Sequence, residues 1–134
     1  MRDRAEKTIS AFAGALNHYP SAMPQMLVAL DFSSRKPKQI IISGARDGLD
    51  TRDLLDEVHR HYLPNAVVLL ADGSDGQKFL EEKLDELKAM QPIGGKATAY
   101  VCENFACQAP VTTVEDLRKI LTQAERRSST SQPH

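Results

Sequence analysis

The first 32 residues carry apolar side chains at three- and four-residue intervals, which predicts a helical hairpin. The stripe of the first helix consists of Ala5, Ile9, Phe12, Ala13 and Leu16. After a turn at 17–20, Ser21 is predicted to cap a second helix whose first turn contains Pro24, a position that tolerates proline. The stripe of that helix consists of Met23, Met26, Leu27 and Leu30. The polar stretch 33–38 breaks the periodicity and predicts a linker.

From residue 39 the pattern changes to short β-branched runs that alternate with helical segments. Residues 40–42 and 66–71 are continuously apolar, which predicts two buried strands. Asp50 or Thr51 is predicted to cap the helix between them, and Pro64 lies beyond its end. The apolar positions of that helix are Leu54, Leu55, Val58 and Tyr62. A further helix is predicted over 77–90, with Phe79, Leu80, Leu84 and Leu87 on its apolar side.

The last third of the chain predicts a hairpin and a closing helix. Residues 97–103 form the third predicted strand and residues 106–111 its return strand, which Pro110 places at a sheet edge. Thr112 and Glu115 have capping-box spacing at the start of the last helix. The apolar side of that helix consists of Leu117, Ile120 and Leu121. Residues 125–134 have almost no apolar content and are predicted to be a disordered tail.

These elements predict an α/β fold in which a β-α-β-α-β-β-α layer over 39–124 follows the helical hairpin of residues 1–32. Two of its strands are expected to be parallel and joined by right-handed crossovers. The hairpin of residues 1–32 stands outside that alternation. A sheet this small offers limited area once its own three helices dock, so the hairpin either covers a remaining face or packs in something larger.

Composition narrows the class of protein. The 134 residues suffice for one compact core, and 17 basic against 18 acidic residues give a net charge of -1. A chain with so little net charge has no overall positive potential that would attract nucleic acid or anionic lipid. The longest apolar run, 66–71, is too short for a membrane span, and no signal-peptide run follows the charged first residues. We therefore expect a cytoplasmic protein with neither nucleic-acid nor membrane partners.

The two cysteines, Cys102 and Cys107, form the sharpest candidate site. A two-residue turn at 104–105 would pair Glu103 with Ala106 and place the cysteines opposite each other. At such a non-hydrogen-bonded position the side chains are close enough for a disulfide. A redox pair is one interpretation. Burial as two small apolar thiols is the other, since cytosolic disulfides are uncommon and no neighbouring cation in the sequence activates either thiol.

Two other ligand patterns are weaker. Zinc would need His59 and His61 beside the cysteines, but residues two apart on a helix point about 200° apart, so no metal site is predicted. Ser43, Gly44 and Gly48 lie between a strand and a helix, where phosphate binds in many α/β proteins. The loop lacks a phosphate-binding glycine motif and contains acidic residues, which favours a tight turn. The segment 72–76 likewise lacks the spacing of a calcium loop.

The segment 97–112, ATAYVCENFACQAPVT, resembles the extreme C-terminus of the thioredoxin-domain-containing, spermatogenesis-associated protein family and its bacterial YyaL-type relatives. Similar stretches occur at 4–30, 39–44, 62–65 and 72–73, so the resemblance covers nearly the whole chain. In that family, this material follows a thioredoxin-like domain and an α/α toroid like that of sugar epimerases and six-hairpin glycosidases. The resemblance therefore implies that residues 1–32 are the last hairpin of a toroid.

The resemblance maps no established catalytic residue and no cofactor onto these positions. It implies a non-catalytic C-terminal structural segment whose partners are the remainder of the toroid and the thioredoxin-like domain. Without them, residues 1–32 are expected to mediate homo-oligomer formation or to remain mobile. Two alternatives stay open, namely a thiol-redox element using Cys102 and Cys107 and a free-standing ligand-binding α/β module using the loop after the first strand.

Overall fold

A computed structural model describes residues 2–34, 37–103 and 106–130. The chain divides into two compact units, Met1–Pro37 and Lys38–His134. The elements in the described part of the first unit are helices, and the second unit contains the sheet. No helix in the described part of the chain combines the length and the apolar character that a membrane crossing requires.

The helical unit consists of α1 (Arg2–Ala11), α2 (Ala13–His18), a 3₁₀ turn (Pro20–Ala22) and α3 (Pro24–Ser34). The predicted single first helix is wrong, because the chain turns at Phe12 between α1 and α2. The predicted cap at Ser21 is also wrong, since this residue lies inside the 3₁₀ turn. Pro24 opens α3, where its missing N–H costs no helical hydrogen bond. The helix continues to Ser34 and so enters the predicted linker.

The second unit has the predicted order of strands and helices, which confirms the α/β fold class. Its elements are β1 (Lys38–Ser43), α4 (Leu49–His59), β2 (Ala66–Ala71), α5 (Asp75–Glu81), β3 (Thr98–Glu103), β4 (Ala106–Cys107) and α6 (Val114–Thr130). The sheet order is β2-β1-β3-β4. β1 pairs with β2 in parallel and with β3 antiparallel, and β3 pairs antiparallel with β4.

The sheet has a buried cluster on each face. Strand residues alternate between faces, so Ile40 and Ile42 face one way and Ile41 the other. The first cluster joins the sheet to α4 and α6 through Ile40, Ile42, Leu54, Val58, Ala97, Ala99, Val101, Leu117 and Leu121. The second consists of Ile41, Ala71, Leu87, Met90 and Cys102. The core of this unit therefore lies on both sides of β1.

Two strand predictions need correction. β2 was predicted to be a buried strand from its apolar run, but it lies at a sheet edge with Val67 and Val68 exposed. The predicted return strand over 106–111 pairs continuously only at Ala106–Cys107. Further along, Val111 makes an isolated bridge to Ala99, and Pro110 lies between the two paired regions without an N–H to donate. The prediction that the return strand forms an edge is confirmed.

Helix ends also differ from the predictions. Gly48 precedes α4 as its N-cap without a side-chain cap, so neither Asp50 nor Thr51 has the predicted role. α4 ends at His59, and Tyr62 is 82% exposed instead of packing on its apolar side. The helix predicted over 77–90 divides into α5 and a 3₁₀ helix at Asp85–Ala89.

At the last helix, the capping residue is Thr113 instead of the predicted Thr112. The Thr113 hydroxyl accepts the Asp116 N–H at 3.3 Å and donates to the Asp116 carboxylate at 2.9 Å. α6 continues to Thr130 and so includes part of the predicted disordered tail. Residues 131–134 of that tail lie outside the described residues.

Candidate functional site

The two cysteines face each other across the hairpin formed by β3 and β4. Cys102 is the register partner of Cys107, and Glu103 is the partner of Ala106, which confirms the predicted pairing. The two sulfur atoms are bonded at 1.99 Å, with the Cα atoms 3.9 Å apart. The turn predicted at 104–105 lies outside the described residues. The hairpin therefore brings the candidate redox pair together as a disulfide.

The two ends of this disulfide have different surroundings. Cys102 is 3% exposed and packs in the second cluster with Ile41, Leu87 and Met90. Cys107 is exposed, on a two-residue strand at the edge of the sheet. The disulfide thus connects an apolar cluster to a solvent-exposed edge.

A cavity of about 230 Å³ lies beside the hairpin. Its lining consists of Lys38, Val101, Cys102, Glu103, Ala106, Gln108 and Ala124. Because side chains alternate along β3, the side chains of Val101 and Glu103 lie on the face opposite that of Cys102. The cavity therefore borders the hairpin that carries the disulfide.

The loop after β1 is tightly packed at Gly44, and the N–H groups of its two glycines are already bonded. Gly44 donates its N–H to the Ala71 carbonyl at 3.0 Å, and Gly48 donates to the Ala45 carbonyl at 2.9 Å. Ser43 is buried. A Cβ at Gly44 would collide with the Thr51 hydroxyl and lie 2.9 Å from the Ala97 Cβ. The glycine at this position is explained by close packing, and these two donors are unavailable to a phosphate.

Asp50 occupies the N-terminal turn of α4 with its carboxylate bonded to backbone. One oxygen accepts the Ala97 N–H at 2.7 Å, and the other accepts the Thr51 N–H at 2.9 Å. These hydrogen bonds lower the pKa of Asp50 below its ordinary value, and the bond from Ala97 has the largest effect. The N-terminus of a helix favours a nearby negative charge, and the Asp50 carboxylate supplies that charge to α4.

Asp72 has a comparable role before α5. Its carboxylate accepts the Ser74 N–H at 3.0 Å and a hydrogen bond from the Arg46 guanidinium at 2.9 Å. Hydrogen bonds from Ser74 are the first cause that lowers the pKa of Asp72, and Arg46 contributes less. The segment 72–76 therefore forms a strand-to-helix turn, as its sequence predicts.

His61, one of the two histidines considered as zinc ligands, contacts carboxylates. His61 Nε2 lies 3.2 Å from a Glu57 oxygen, and His61 Nδ1 lies 3.2 Å from a Glu125 oxygen. His59 is exposed at the end of α4. Within the described ranges, no group of three or more His, Cys, Asp and Glu side chains is arranged to hold a metal ion.

Sequence reasoning missed an ion pair that joins the buried Glu57 of α4 to the half-exposed Arg118 of α6. The Glu57 side chain is 3% exposed, and Arg118 donates to its two oxygens at 2.7 and 2.9 Å. Arg118 is the first cause that lowers the pKa of Glu57 to about 2, with His61 adding to the effect. The sequence did contain a sign that Glu57 is buried. It lies three residues after Leu54 and therefore on the apolar side of the predicted helix.

The fold and the site together define a small mixed α/β unit with a disulfide-linked hairpin, preceded along the chain by a separate helical unit. Three relatives are named spermatogenesis-associated protein 20. The human protein is 41% identical over 119 residues, the rat protein 39% over 121 and the mouse protein 38% over 121.

The alignments cover 89–90% of this chain but 15% of each relative. The chain thus matches a small segment of much longer proteins, and the resemblance to spermatogenesis-associated proteins is confirmed at this level. No family model matches the chain. No solved structure matches it either.

Proposed function

We propose that this chain is a non-catalytic C-terminal structural segment of a larger protein that contains a thioredoxin-like domain and an α/α toroid. The match of nearly the whole chain to 15% of each relative supports the role of a segment. The resemblance of residues 97–112 supports the C-terminal position and the two accompanying domains. In this role, the helical unit packs against the toroid.

The observation that carries the proposal is the surface of α3. Its apolar residues are spread around the helix axis, because at about 100° per residue Met26, Leu27, Val28 and Phe32 point in different directions. None of the residues of α3 is buried, and Val28 is 63% exposed. A helix that is apolar on all sides is normally enclosed by other elements. Contact with further helical hairpins would supply that enclosure.

Three hydrogen-bonded carboxylates of the α/β unit support a structural role. Asp50 accepts the Ala97 N–H, Asp72 fixes a turn, and Glu57 is held by Arg118. Each lowered pKa has a local bonding partner as its cause. Their carboxylates thus have roles in holding elements together, and none of the three requires a substrate to explain it.

The test compares the full chain with a chain lacking residues 1–37 in sedimentation velocity and far-ultraviolet circular dichroism. We expect the full chain to self-associate and the shortened chain to be a folded monomer. Unfolding of the shortened chain would show that the helices are an integral layer of one domain. A monomeric full chain with protected helical amides would also contradict the proposal.

A matched pair of substitutions locates the surface. Val28→Glu places a charge on α3 and should reduce self-association of the full chain. Phe79→Glu places the same charge on an exposed aromatic position of α5, which is 58% exposed, and should leave self-association unchanged. Equal effects of the two substitutions would argue against a specific role of α3.

The disulfide favours a second candidate function, in which Cys102 and Cys107 cycle between dithiol and disulfide with the proposed thioredoxin-like domain as partner. The register that places the two sulfurs within bonding distance supports this function. Thiol titration of the native chain with and without reductant tests it. We expect two additional thiols after reduction, and an unchanged thiol count would exclude the redox function.

A further inference from the structure

The hairpin disulfide presents its two sulfurs unequally, and this asymmetry determines its chemistry. We infer that Cys107 is the sulfur attacked by an external dithiol reductant, with Cys102 as the leaving group. The inference rests on the second candidate function and deepens it by assigning a direction to the reaction and a chemical class to the partner.

Access to the sulfurs is the first step of the argument. A thiolate must approach a disulfide sulfur directly, so exposure limits which of the two it reaches. Cys102 is 3% exposed and is enclosed by Ile41, Leu87 and Met90. Cys107 is exposed, and β4 has no further strand beyond it in the sheet. Of the two cysteines, Cys107 is therefore the more accessible to an incoming thiolate.

The reaction then follows a balanced sequence. The first thiolate of the dithiol bonds to Cys107 Sγ, and the Cys102–Cys107 bond breaks with its electron pair going to Cys102 Sγ. Cys102 takes a proton from water. The second thiol of the reductant, as a thiolate, attacks the reductant's own sulfur and releases Cys107 as a thiolate. The dithiol is oxidised to a disulfide, and the protein disulfide gains two electrons.

The hairpin has other contacts that keep the two cysteines near each other after this step. Gln108 donates its N–H to the Val101 carbonyl at 2.9 Å, and Ala99 exchanges two hydrogen bonds with Val111 at 2.7 and 3.0 Å. Reduction should therefore leave the two cysteines in register, without unfolding of the sheet.

The test identifies the sulfur that reacts in the full chain. The chain is first oxidised with oxidised dithiothreitol, then mixed with excess glutathione, quenched with acid and alkylated, and its peptides are analysed by mass spectrometry. In the native chain we expect about tenfold more glutathione adduct on Cys107 than on Cys102. In guanidinium chloride, where burial is lost, the two adducts should become comparable.

The outcomes separate this inference from the function on which it rests. If dithiothreitol releases no thiols from the native chain, both the redox function and the assigned direction are wrong. If thiols are released but the glutathione is mainly on Cys102, only the direction is wrong. An equal ratio in native and unfolded chains also overturns the direction, because burial then has no influence.

Single-cysteine variants provide a second measurement that does not depend on forming the disulfide. In Cys102→Ala the remaining Cys107 thiol should react with an aromatic disulfide reagent about as fast as in the unfolded chain. In Cys107→Ser the remaining Cys102 thiol should react at least about tenfold more slowly than when unfolded. Circular dichroism establishes that each variant is folded. Equal rates in the two folded variants would overturn the inference.

Discussion

The helical unit and the α/β unit use similar apolar residues with different results. In the α/β unit, Ile40, Ile42, Leu117 and Leu121 are completely buried. In the described part of the helical unit, Leu16 is the one hydrophobic residue that is buried. The comparison shows that forming helices does not by itself create a core. The α/β unit contains the partners for its apolar side chains, whereas the helical unit would gain stability from a surface that completes it.

The largest expected effect contrasts truncations of leucines in the two units. Leu117→Ala removes a fully buried side chain from the first cluster and should lower the free energy of unfolding by about 2–5 kcal/mol. Leu27→Ala on α3 should change it by less than about 0.5 kcal/mol. Urea unfolding followed by circular dichroism measures both. Comparable losses would mean that α3 has a core of its own.

Acid should weaken the α/β unit through Glu57. Its pKa falls from 4.5 to about 2 in the fold, chiefly because of Arg118. Since the unfolded chain takes up this proton more readily, the stabilisation is present above pH 4.5 and is lost as the pH falls towards 2. The total is about 3 kcal/mol.

Chemical denaturation between pH 5 and 2.5 checks this loss, with Glu57→Gln as the control. The variant lacks the titrating group, so its stability should decline less over the same range. The same slope for both chains would show that Glu57 does not carry the effect.

Two glycine substitutions sharpen the comparison further. Gly44→Ala introduces a Cβ into the contact with Thr51 and Ala97 and should destabilise the α/β unit by about 1–3 kcal/mol. Gly14→Ala lies in α2 with no heavy atom near the added Cβ, and should increase helix stability by about 0.5–1 kcal/mol. Thermal melts of the two variants should therefore shift in opposite directions. Melts that shift in the same direction would contradict the packing at Gly44.

The last expected effect concerns the start of α6. Thr113→Ala removes the hydroxyl that accepts the Asp116 N–H and should cost about 0.5–2 kcal/mol. Thr112→Ala, at the position that the sequence pattern favours, should change the free energy of unfolding by less than about 0.5 kcal/mol. If Thr112→Ala lowers the free energy of unfolding more than Thr113→Ala does, Thr112 is the capping residue, as the sequence predicts.

Much of the fold follows from the hydrophobic pattern. The run at 66–71 has the bounds of β2, and the isoleucines at 40–42 lie in β1. The pattern could not place β2 at an edge, because strand order depends on pairings between distant segments. The capping residue was displaced by one position, since Thr112 and Thr113 are adjacent and each has an acidic residue three positions later.

The candidate site was predictable where it depended on local spacing. The cysteines are five positions apart in the sequence, and hairpin geometry alone places them opposite each other. The pairing of Glu57 with Arg118 was not predictable, because the two are 61 positions apart. The unequal burial of the cysteines also depends on tertiary contacts, since Leu87 and Met90 cover Cys102 from a distant segment.

The central position of β1 affects how the chain acquires its fold during synthesis. β1 is the first element of its unit to leave the ribosome, yet it pairs with β2 on one side and with β3 on the other. On one face its isoleucines are covered by α4 and by α6, the last element of this unit. The nascent unit therefore exposes aggregation-prone isoleucines until its final helix emerges, which makes chaperone protection most valuable in that interval.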